Sequence, residues 1–166
     1  LILTVPIIDL MMHYDKKTYD FDNFPNWLTF LRDEINLTAL GMSFARLPAG
    51  KGYTYLHKHK KQEEVYVILQ GRGVIYLDGE IVELSQGDVL RVNPEVLRAL
   101  KADDEFELVC IIIGALPADG YPKNKNSRAL IDDGIPDWDR LPPWCEGNKK
   151  VIELNKKIRA EREGTN

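Results

Sequence analysis

From Gly41 to Gly114 the chain is cut into short β-type runs by Gly, Pro and Asp-Gly punctuation, and nothing else in it constrains the fold as strongly. The runs are Met42–Leu47, Tyr53–His57, Glu64–Gln70, Gly73–Leu77, Glu80–Leu84, Asp88–Val92, Val96–Ala99 and Glu107–Ile113. Turns are expected at Pro48–Gly50, Gly71–Gly73, Asp78–Gly79, Gln86–Gly87 and Asn93–Pro94. Asp78-Gly79 between Leu77 and Glu80 is a two-residue hairpin signal, because both residues tolerate positive φ. Short strands at a spacing of about 8–12 residues build a sandwich or a barrel. A parallel sheet would need helical crossovers that this stretch has no room for.

The flanks read differently. Residues 1–40 form an N-terminal extension, and 115–166 a C-terminal wrapping segment that ends in a helix. The opening LILTVPIIDLMM is apolar but interrupted by Pro6 and Asp9, and it is shorter than a membrane span. It reads as an extra strand or a dimer arm, with Leu1–Ile8 suited to edge pairing. Trp27, Phe30, Leu31 and Glu34 sit at helical spacing after Pro25, which predicts a short helix from Asn26 to Ile35. Pro117, Pro122, Pro136, Pro142 and Pro143 keep the segment after the strands extended, and Trp138 and Trp144 predict that it docks on the barrel. Val151, Leu154 and Ile158 place a narrow apolar stripe on a helix over 149–162.

At 166 residues the chain suits one domain with one core. Its formal charge of 22 − 26 = −4 lacks the basic excess of a nucleic-acid binder, so no nucleic-acid partner is expected. No membrane association is expected either. Cys110 and Cys145 are too few for a disulfide framework, and a reducing, cytoplasmic compartment is the expectation. Cys110 lies within the apolar run ELVCIIIG and reads as inert core.

The chemistry is concentrated between residues 52 and 71. His57 and His59 are two apart, so on a strand both imidazoles share a face, about 6.5–7 Å apart along the backbone. Glu64 at the start of the next strand can add a carboxylate. Two nitrogens and one oxygen with open positions suit a divalent ion such as Fe, Mn, Zn or Ni and leave room for water or a ligand. A bare His-x-His among Lys58, Lys60 and Lys61 is equally what a solvated surface loop contains. If Glu64 points inward, alternation turns Tyr66 and Ile68 inward with it, and Tyr66 becomes a candidate ligand contact.

The pattern H-x-H-x4-E-x6-G, carried by His57, His59, Glu64 and Gly71, resembles the first motif of the cupin superfamily. The following EVYVILQG strand and Gly71-x-Gly73 agree with it. The resemblance implies an all-β fold, a cupin-type jelly-roll β-barrel over 41–114 with short helical extensions at both ends. It also implies a divalent metal held by His57, His59 and Glu64 inside the barrel mouth, and a homodimer. The second motif is degenerate. Gly87 matches, but Asn93, Glu95 and Ala102 replace the family's proline, glycine and asparagine. Arg98 stands where the fourth ligand, a histidine, belongs. Arginine has no lone pair for a metal, so the site has at most three protein ligands. Arg98 either pairs with Glu64 or faces the open mouth to hold an anion in a bidentate fork; the mouth-facing placement is the expectation.

Three functions stay open. The chain is a cupin binding a small anionic or polyol molecule near His57, His59, Tyr66 and Arg98. Alternatively it is a metal-dependent enzyme, a dioxygenase or isomerase. In the third case it is an interaction module whose site is closed by an Arg98–Glu64 pair.

Overall fold

The computed structural model describes residues 14–115 and 133–163. Leu1–Ile8, Pro117 and Pro122 lie outside those residues. The strands are β1 (Trp27–Phe30), β2 (Leu40–Leu47), β3 (Leu56–His59), β4 (Glu64–Leu77), β5 (Glu80–Ser85), β6 (Val89–Val92), β7 (Arg98–Ala102), β8 (Leu108–Ala115) and β9 (Gly134–Asp137). A single 3-10 turn at Pro143–Cys145 precedes α1 (Lys149–Glu163). The order across the sheet is β1-β2-β8-β4-β7-β3-β9, with β5 and β6 also on β4. All pairings are antiparallel, and the sheet curls on itself as a jelly-roll barrel.

The long strand β4 ties the two halves together. Its first half pairs with β6 and β8, and its second half with β5 and β7. A register shift between Ile68 and Gln70 marks the crossing point. Here the sequence predicts two strands and a turn at Gly71–Gly73, and the structure has one continuous strand. The glycines serve close approach. Gly71 has φ 75, and a Cβ on it would overlap the Glu107 carbonyl oxygen. The hairpin at Asp78–Gly79 is as read, with positive φ at both residues.

Alternation along β4 sets the core. Glu64, Tyr66 and Ile68 are buried, while Val65 and Val67 are half-buried. Tyr66, Ile68 and Ile75 pack with Ala45, Leu47, Leu100, Leu108 and Cys110. The Cys110 thiol is fully buried, and burial pushes it up to about 12, so it is inert core as expected.

The helix predicted over Asn26–Ile35 is not formed. Trp27–Phe30 is a strand paired with Ser43–Arg46 of β2, and turns follow it. A short apolar run fits both periodicities, and here covering the open edge of β2 decides in favour of strand. Phe24 and Leu31 still bury against Phe44 and Val109. At the other end the wrapping segment contributes β9, which adds to β3. Trp144 docks as expected, donating from Nε1 to the Tyr53 carbonyl oxygen at 2.9 Å. Helix α1 is anchored less by its apolar stripe than by Asn155, which is buried and donates to the Thr54 carbonyl oxygen at 2.7 Å. Leu154 of the stripe is 45% exposed. Among the described residues no helix is long and apolar enough to cross a membrane.

Candidate metal centre

β3 lies between β7 and β9, with His57 opposite Arg98 on one side and opposite Pro136 on the other. The alternation of the strand turns both imidazoles to the same face, with ring centroids 5.4 Å apart. Glu64 enters from the first position of β4. One donor atom from each of His57, His59 and Glu64 lies within 4.8 Å of the other two. The inward convergence read from the spacing is therefore present.

The two oxygens of Glu64 have different surroundings. Oε2 accepts from the Tyr66 hydroxyl at 2.7 Å and from Arg98 Nε at 3.0 Å. Oε1 lies 3.4 Å from His59 Nε2. The other ring nitrogen of His59, Nδ1, is 2.9 Å from Asp133 Oδ1. A carboxylate there orients the ring so that Nε2 points at Oε1, the arrangement that metal-binding histidines use. Nε2 meets Oε1 as a donor when the ring carries both protons, and as a fellow ligand when a cation sits between them.

Electrostatics match this donor set. Burial pushes His57 down to about 3, with Arg98 and His59 adding to the effect and Glu64 opposing it. Its ring is neutral at neutral pH and keeps a lone pair. Burial alone would raise the Glu64 carboxyl, but the hydrogen bond and charge of a protonated His59 and the charge of Arg98 outweigh it and lower the group below its usual range. Burial, then the Glu64 charge, raises the Tyr66 phenol well above its usual range, so Tyr66 serves as a neutral donor.

Arg98 does not face the mouth. Its side chain is fully buried, and Nη1 donates to the carbonyl oxygens of Asn93, Pro94 and Val96 at 3.3, 3.2 and 2.7 Å. The mouth-facing expectation fails because a buried guanidinium needs an anion and acceptors, and Glu64 and the 93–96 turn supply both. Tyr66 points inward as alternation requires, but its hydroxyl is turned to Glu64.

Asp133 carries no local sequence signal. It stands 74 residues from His59 in a proline-containing segment, next to β9. Its Oδ2 accepts from the backbone N–H groups of Lys61 and Gln62 at 2.7 and 3.1 Å, which shapes the loop between the histidines and Glu64.

Beside His57 and Glu64 opens a cavity of about 320 Å³, with His59 buried behind its wall. His57, Glu64 and Tyr66 line it together with Trp27, Leu28, Phe30, Ser43, Tyr53, Ile112 and Leu154, among others. Arg98 is not part of its wall.

The family model for the cupin domain matches residues 43–114. A cupin protein from Bacteroides fragilis, seen in a crystal structure, is 33% identical and superposes with a TM-score of 0.60, covering 69% of this chain and 96% of its own. The uncharacterized protein MJ1618 of Methanocaldococcus jannaschii is 45% identical over 51 residues, which is 31% of this chain and 40% of that protein.

Proposed function

The chain belongs to the cupin superfamily, and from that premise we propose that it is a metal-binding cupin that holds a small molecule in the cavity beside the ion. The observation that carries the reading is the set of His57, His59 and Glu64 donors within 4.8 Å of one another, with Asp133 orienting His59. The donor set fits a divalent ion of the Fe, Mn, Zn or Ni class. Such an ion supplies a Lewis-acidic centre for an oxygen of the bound molecule.

The residues divide the remaining work. Tyr66 and Arg98 occupy Glu64 Oε2, which leaves Oε1 as the oxygen available to a metal. Arg98 also cancels the Glu64 charge, so a cation is attracted less than by an unpaired carboxylate, and a weaker site than a four-ligand one follows. The same donors beside the same cavity serve a dioxygenase or isomerase, if the bound molecule is turned over there.

A second reading is favoured by the Arg98–Glu64 ion pair itself, which neutralises the site as a closed interaction module requires. Thermal unfolding separates the two. A bound ion stabilises the folded protein by about 2.7 kcal/mol at a hundredfold excess over Kd, so the midpoint rises with metal concentration. Wild type should show this shift with at least one of the four metals, and His57→Ala should lose it. A midpoint that no metal moves would leave the closed module.

A further inference from the structure

The walls of the cavity carry information that the metal reading does not use. Among the described residues they contain no lysine or arginine. Their one formal charge, Glu64, is already matched by Arg98. An anionic group entering the cavity meets no protein counter-charge, and a polyol finds partners only at Ser43, Thr54, His57 and the tyrosines while losing water against a wall whose exposed surface is mostly apolar, with Trp27, Leu28, Phe30, Ile112 and Leu154 in it. What these walls accept at least cost is an apolar body with one polar end, placed against Glu64.

Two residues at the cavity are odd as packing elements. Trp27 has φ 75, a left-handed backbone that bulky side chains adopt only under strain, yet its indole remains 45% exposed. Leu154 on α1 is also 45% exposed, and it lines the cavity while its neighbour Asn155 makes the buried anchor to Thr54. Each side chain is about half-buried, and both take part in the cavity wall. Trp27 is brought by the N-terminal extension and Leu154 by the C-terminal helix, so the two segments outside 41–114 meet at one site.

We infer that the cavity selects a small, flat, uncharged apolar molecule bearing one hydroxyl, and that Trp27 and Leu154 are the residues that determine this specificity. The hydroxyl donates to Glu64 Oε1 at the polar end, and the indole and the leucine cover the apolar body. The inference shares its cavity with the metal reading but does not depend on an ion being bound.

Calorimetric titration of chelator-treated protein with 2-naphthol and with 2-naphthoate tests it. The two probes have the same ring system and differ in charge. Naphthol should bind saturably at one per chain, and naphthoate about tenfold more weakly or worse, a difference of about 1.4 kcal/mol. Trp27→Gly removes the indole and relieves the left-handed strain, so it should lose about tenfold in naphthol affinity while the unfolding midpoint stays level or rises. Leu154→Ala, on an exposed helix position, should lose affinity without Trp27 being touched. The inference is overturned if naphthol does not saturate or if naphthoate binds as well. Unchanged affinity in both variants also overturns it, as does a lower midpoint for Trp27→Gly, which would make the indole a packing residue. Because the titration is free of metal, its failure leaves metal uptake standing, and failed metal uptake leaves this result standing.

Discussion

Arg98 is the residue on which the site turns. It takes the position of a histidine ligand and is fully buried, with Nε on Glu64 and Nη1 on three backbone carbonyls. Removing one partner of a buried, hydrogen-bonded pair is costly because the other charge stays behind. Arg98→His should therefore destabilise the metal-free protein by about 3–5 kcal/mol. The same change supplies a fourth nitrogen and lifts the charge that opposes a cation, so metal affinity should rise and added metal should restore stability. Chemical denaturation with and without metal reads both effects. A variant as stable as wild type without metal would mean that the Arg98–Glu64 pair contributes nothing. At this scale His57, His59 and Glu64 were legible in the sequence because their convergence is local: two alternate positions on one strand and the first position of the next. The direction of Arg98 was not, since it depends on the carbonyls of Asn93, Pro94 and Val96, which only the turn before β7 brings within reach.

At the scale of elements, β9 does more than lengthen a sheet. It brings Asp133 against His59 and closes the loop over Lys61 and Gln62. A carboxylate behind a ligating histidine fixes the tautomer and raises basicity. Asp133→Asn should lower metal affinity by about 10–100-fold. An amide retains an acceptor oxygen for the same backbone N–H groups, so the metal-free unfolding midpoint should change far less than the metal affinity. Equal loss in both would make Asp133 a loop brace only. The sequence could not show this partner, because nothing in a Pro-rich segment marks one aspartate as facing a histidine 74 positions away. The strand β1 is hidden in the sequence for a different reason. Its apolar residues fit a helical stripe, and the pairing with β2 that makes it a strand is a tertiary event. The turn expected at Gly71–Gly73 does not form because glycine signals both reversal and close approach, and here β4 passes hard against Glu107.

At the scale of the molecule, the barrel and its two extensions form one device. The short strands and their punctuation from Gly41 to Gly114 were enough to read the all-β barrel, since each turn signal is local. The site, however, is completed from outside that stretch: Trp27 from β1, Asp133 before β9 and Leu154 from α1. On the proposed function, β1, the residue before β9 and α1 therefore belong to the ligand site and not only to the surface. The central claim is that His57, His59 and Glu64 hold a divalent ion despite the arginine in the fourth position. Elemental analysis of protein purified without an affinity tag, from medium supplied with Fe, Mn, Zn and Ni, tests it most directly. The account predicts up to one divalent ion per chain in wild type, removable by chelator and refilled on addition, and none in His57→Ala. No metal in wild type even after refilling, or equal metal in His57→Ala, would contradict it.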